Sequence, residues 1–135
     1  TTETCILRWL HRGDTIYDVE VPKDAENIKI EGATTIYRTN KIIVKNHRKI
    51  TDDMAYEFYK KANIPAKSYA RALCAVTLMG YEKTANAILK DKVSKKNIDE
   101  YLEEWNDFFT FGGDGKRDTS APLIVDIHNK LLNLK

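Results

Sequence analysis

At 135 residues, 42% hydrophobic and 31% charged, the chain has the make-up of one globular domain and not of a disordered tail. A domain of this size buries roughly two-thirds of the surface its unfolded chain exposes, so it can hold a core without staples. No apolar run approaches the roughly 20 residues of a membrane-spanning helix, which excludes that class.

The first residues lack the basic start and apolar centre of a signal peptide, and an intracellular, cytoplasmic setting is expected. Cys5 and Cys74 lie among apolar neighbours and read as buried free thiols, with a single disulfide not indicated. The net charge of +2 hides a segregation: residues 1–37 carry 4 Lys/Arg and 7 Asp/Glu, residues 38–96 carry 14 and 5, and residues 97–135 carry 4 and 8. The middle is basic and both ends are acidic.

In chain order, Thr4 to Leu10 alternates Cys5, Leu7 and Trp9 with other β-formers and reads as a strand. Arg12-Gly13-Asp14 reads as its turn into a second strand, Thr15 to Val21, with which it is expected to pair. Pro22 ends that strand. Ile28 and Ile30 mark a short third strand, and Thr35–Arg38 with Lys41–Lys45 read as a hairpin around Thr39-Asn40.

From Thr51 the period changes to that of helices. Thr51 caps a helix with Asp52 and Asp53 in its first turn and Met54, Phe58 and Ala62 on its apolar side, broken at Pro65. A second helix runs from about Ser68 to Met79 and stops at Gly80; a third spans roughly Glu82 to Lys90.

The clearest amphipathic helix follows. Ile98, Tyr101, Leu102, Trp105 and Phe108 make one stripe on a period of 3.6, opposite an acidic face. Asn97 is placed to cap it, with Glu100 reaching back as in a capping box. After the glycine-rich loop Gly112–Asp118, Ser120 and Pro122 open a last helix whose Leu123, Ile124, Ile127, Leu131 and Leu132 are expected to face the core.

Strands first and helices second mean an α+β fold. An N-terminal antiparallel sheet of four to five short strands (1–50) packs on a C-terminal bundle of four to five helices (51–135), all within one domain, 1–135.

The strongest functional lead is the basic middle. Arg38, Lys41, Lys45, Arg48, Lys49, Lys60, Lys61 and Arg71 would neutralise phosphates, with Tyr37 and Tyr59 as stacking platforms for bases. The leading expectation is therefore a small non-enzymatic nucleic-acid-binding or regulatory protein. The alternative is a protein-interaction module, an adaptor or inhibitor, whose segregated charges meet a partner or a second copy in a homodimer.

Lys116 and Arg117, beside three glycines, suggest a weaker anion-binding loop, although the spacing is not that of a P-loop. An enzyme would need His47, Asp52 and Asp53, or that loop, to converge on one pocket. His11, His47 and His128 stand in different elements without metal-ligand spacing and read as solvated side chains. No catalytic residue, metal or cofactor is expected.

Leu78-Met79-Gly80-Tyr81, followed by Ala85, Ile88, Leu89 and Tyr101-Leu102, is faintly similar to the ubiquitin-associated domain, a three-helix bundle whose Met-Gly-aromatic loop touches ubiquitin. The likeness covers about forty residues and departs by one residue between the Tyr and the Ala, so it is not adopted as membership. It implies that Met79 and Tyr81 are exposed contacts. Residues 68–90 also fit a helix-turn-helix, with Gly80 in the turn.

Overall fold

The computed structural model describes residues 2–30, 36–110 and 117–135. The order of elements is a 3-10 helix, Glu3–Arg12, then four antiparallel strands: β1 (Thr15–Glu20), β2 (Asn27–Ile30), β3 (Ile36–Thr39) and β4 (Ile43–Lys49). Five α-helices follow: α1 (Asp52–Lys61), α2 (Ser68–Leu78), α3 (Glu82–Lys92), α4 (Ile98–Thr110) and α5 (Pro122–Leu134). The fold is α+β. No helix among the described residues is long and apolar enough to cross a membrane.

The N-terminal segment differs from the strand expected over Thr4–Leu10. Its β-forming residues are instead wound into a 3-10 helix, far longer than the usual three or four residues. Burial decides the matter, because Leu7 and Leu10, one 3-10 turn apart, are closed off from solvent against α1 and α2. A strand would have pointed them to opposite faces. Tertiary packing here outweighs β-propensity.

Strand pairing also differs from the two expected hairpins. β1 pairs with β4 and β2 with β3, so the chain runs out along β1 and β2 and returns along β3 and β4 as one nested ribbon. Residues Thr39-Asn40 join β3 to β4 without folding one onto the other. A bulge lies opposite Tyr17, where Asn46 takes φ 50°, a left-handed conformation that asparagine tolerates. The base of the ribbon is tied to the helices by Ile16 and by buried Ile50, whose carbonyl accepts the Tyr81 hydroxyl at 3.2 Å.

α2 is the hub of the helical part. Ala70 and Ala72 to Thr77 are all buried, and the helix packs against the 3-10 helix, α3, α4 and α5. Its end follows the expectation: Gly80, at φ 76°, lets the Tyr81 N–H reach the Val76 carbonyl (2.9 Å) and the Gly80 N–H reach that of Thr77 (3.1 Å). The α4 stripe is buried as its spacing requires, through Ile98, Tyr101, Trp105 and Phe108, joined by Phe109. Cys5 and Cys74 are buried and free, and burial pushes the Cys74 thiol up.

Three local expectations are corrected. The Asn97 side chain does not cap α4; it turns back to accept from the Ser94 N–H (2.8 Å) and to donate to the Lys92 carbonyl (2.9 Å), closing the α3–α4 turn instead. Leu132 does not face the core and is 49% exposed, while Ile124, Ile127 and Leu131 fill that side of α5. Ser120 does not cap α5, since Ala121 holds that position without a side-chain bond.

Candidate interaction surface

Of the eight cations singled out from the sequence, seven pair with acids, six of them with acids far away along the chain. On the ribbon Arg48 grips Asp18 with two donors at 2.8 and 3.1 Å, Lys45 meets Glu20 at 2.5 Å, Lys41 meets Asp24 and Lys49 meets Asp14. The Arg48 bond, ahead of its charge, lowers the Asp18 carboxyl below the usual carboxylate range. Lys60 pairs with Glu57, Lys61 with Glu3 and Arg71 with Glu104 on α4. Exposed pairs of this kind stabilise little, but they cancel charge. Six of these pairs join the basic middle to the acidic ends, whereas Lys67, Lys90, Lys92, Lys95 and Lys96 of that middle form no ion pair among the described residues.

Arg38, opposite Ile28 on the inner strand pair, has no acidic partner among the described residues, and Tyr37 beside it is 57% exposed. Tyr59 is corrected as a stacking platform. Its ring is buried and its hydroxyl donates to Asp91 at 2.9 Å; burial first, then that bond, pushes the phenol well above its ordinary range.

Lys116 lies outside the described residues. Arg117 lies over the Phe108 ring at 4.0 Å and donates to the Phe108 carbonyl, an arrangement that places its charge at the negative end of α4. Asp52 and Asp53 serve a neighbouring helix. The Asp52 carboxylate accepts from the N–H groups of Lys83 (2.7 Å) and Thr84 (3.0 Å) and from the buried Thr84 hydroxyl (2.7 Å), capping α3 from another element. Asp53 pairs with Lys83 at 2.6 Å. His47 lies on the ribbon beside Tyr17, with ring centres 6.2 Å apart.

The two remaining histidines are not the solvated side chains expected. His128 stacks on Trp105 at 5.4 Å and 7°. His11 sits edge-on to Phe108 at 5.4 Å, with its Nδ1 buried and without a hydrogen-bond partner among the described residues. Burial, then Arg12, Arg71 and Arg117, lowers its pKa below the ordinary 6.5. Above 6.5 the ring is neutral in both folded and unfolded chains. Below it the unfolded chain takes the proton first, so stability falls as pH drops toward the lowered folded value. Urea unfolding from pH 7 to 5 is expected to show this acid loss in the wild type and a flatter profile in His11→Gln.

The contacts implied by the ubiquitin-associated likeness are absent. Tyr81 is 7% exposed in the core, Met79 is half-buried, and α3 packs on α1, α2 and α5 without closing on α4. The helix-turn-helix reading meets an acidic obstacle, because Asp52 and Asp53 occupy the start of α3, where a recognition helix would meet bases.

The surface that the fold leaves open is apolar. On the outer strand pair Val19 stands opposite Val44, and Tyr17 shares that face by alternation, with Val21 and Ile42 just past the strand ends. All five are exposed, Val19 by 57% and Val44 by 53%. The opposite face carries Asp18, Glu20, Lys45 and Arg48 in their ion pairs, together with Ile43. Beyond the base at Ile16, no helix packs extensively on either strand pair among the described residues. Between the ribbon and the helices lies a groove of about 760 Å³, lined by Val19, Ile42 and Val44, by Ile6 and Phe58, and by the charged pair Asp18 and Arg48.

The alternation of Tyr17, Val19 and Val21 with Asp18 and Glu20 was a signal of this face. In the run Ile42-Ile43-Val44, three apolar residues in succession hid which side they belonged to. Compared with known proteins, the chain matches no family model, no curated protein and no solved structure.

Proposed function

We propose that the chain is a non-catalytic protein-interaction module that engages its partner through the apolar face of the β-ribbon. The observation that carries this reading is an amphipathic sheet with one face charge-paired and the other bare. A sheet of that pattern ordinarily buries its apolar face against another layer, and a two-stranded ribbon alone is marginal in water. Contiguous exposed apolar surface of this kind marks interaction sites. On the outer strand pair the paired charges favour an uncharged protein surface over a phosphate backbone, whose recognition draws on uncompensated cations.

Nucleic-acid binding stands as a second reading, at a different place from the residues first singled out. Arg8 and Arg12 both lie over the Trp9 ring, at 5.3 and 5.8 Å, and neither has a carboxylate partner among the described residues. Cations around an aromatic ring suit single-stranded bases.

One purification separates the two readings. Tagged wild type, Val44→Glu, Lys45→Glu/Arg48→Glu and Arg8→Ala/Arg12→Ala are recovered with whatever they bind. A protein retained by the wild type and both charge variants, and lost with Val44→Glu, is the expected result. Nucleic acid that is lost only with Arg8→Ala/Arg12→Ala would replace the first reading by the second.

A further inference from the structure

Among the described residues, the exposed large apolar side chains fall in two places. Nine lie between positions 17 and 44, on the ribbon, and two, Val125 and Leu132, lie on α5. Val125 and Leu132 are two helical turns apart and share one side of α5. Asn129 stands between them on that side, exposed and uncharged. Asp126 and Lys130 flank the stripe and pair with each other at 2.7 Å. The charges at the rim of the ribbon groove are likewise paired, Asp18 with Arg48 and Glu3 with Lys61. Each surface sets apolar side chains among paired charges, and neither brings an unpaired charge to the other.

We infer that α5 of one copy docks in the ribbon groove of a second copy, with Val125 and Leu132 as anchors against Tyr17, Val19 and Val44. An amphipathic helix laid in an apolar groove, with anchors at i and i+7, is a recurrent recognition mode. A chain does not fill its own groove, since α5 packs on α2, α3 and α4 and lines no part of it. Ribbon against ribbon would leave the α5 stripe bare, whereas helix in groove covers both patches with one contact. The contact joins two different patches, so it is heterologous.

This inference rests on the interaction reading above and names its partner. The test is sedimentation velocity on the full chain from micromolar to millimolar concentration. Concentration-dependent association of the wild type is expected, weakened at least about tenfold, a change of about 1.4 kcal/mol, in both Val44→Glu and Leu132→Glu.

An equal mixture of the two variants is expected to regain a two-copy species, because it contains one intact groove and one intact helix. Val19→Asp and Val125→Glu serve as second variants, with thermal melts to confirm that each is folded. Wild type that stays single throughout, Leu132→Glu that associates like wild type, or a mixture that fails to recover would each overturn the inference. If the wild type is single yet still retains a different protein that Val44→Glu loses, the inference falls and the interaction reading stands.

Discussion

Replacing Phe108 with alanine is expected to destabilise the fold by about 4 kcal/mol, the upper range for emptying a buried aromatic site. The ring is 1% exposed and central to a cluster, touching Phe109 at 5.1 Å and His11 at 5.4 Å. Arg71 and Arg117 lie over it at 5.3 and 4.0 Å, and such contacts add to the burial. A loss of that size is a large part of the 5–15 kcal/mol that roughly spans native stabilities, and corresponds to a melting shift of roughly 15 °C. Phe108→Leu keeps most of the apolar volume but removes the ring, and is expected to cost about 1–2 kcal/mol. Urea unfolding of both against Val19→Ala, at an exposed ribbon position, checks the assignment. Equal midpoints for Phe108→Ala and Val19→Ala would mean that Phe108 is not where the core is held.

The second large effect separates two adjacent aspartates. Asp52→Ala is expected to cost about 2 kcal/mol, the upper scale of a lost helix cap. It leaves the N–H groups of Lys83 and Thr84 without their side-chain acceptor, and the buried Thr84 hydroxyl keeps only the Asp52 carbonyl at 3.2 Å. Asp53→Ala is expected to leave the unfolding midpoint close to that of the wild type, because its pair with Lys83 is exposed on both sides. Thr84→Val in the Asp52→Ala background should cost less than Thr84→Val alone, since the hydroxyl has already lost its shorter bond to the carboxylate. Additive costs in that double variant would show that the two side chains act separately.

The helical half was legible wherever a local rule has one solution. Thr51 accepts from the Met54 N–H at 3.3 Å, Gly80 takes the left-handed turn, Pro122 opens α5 and the α4 stripe is buried, all from spacing and backbone chemistry within a few residues. The exceptions are residues with more than one way to satisfy themselves. Asn97 had both a helix start and a preceding turn within reach, and it bonded to the turn.

The sequence by itself determined the α+β order, the approximate extents of the five helices, the burial of both thiols and the antiparallel strands after Thr15. Only the tertiary structure decided which strands pair, whether Thr4–Leu10 extends or coils, and where the charges meet. The reason is range. A cap or a glycine stop is set by neighbours within one turn, whereas β1 meets β4 across more than twenty intervening residues, and that pairing sets Asp18 and Glu20 against Arg48 and Lys45. A linear charge count registers a basic middle. The fold pairs the cations of β4 with acids of β1 and its flanks and leaves the ribbon's other face apolar.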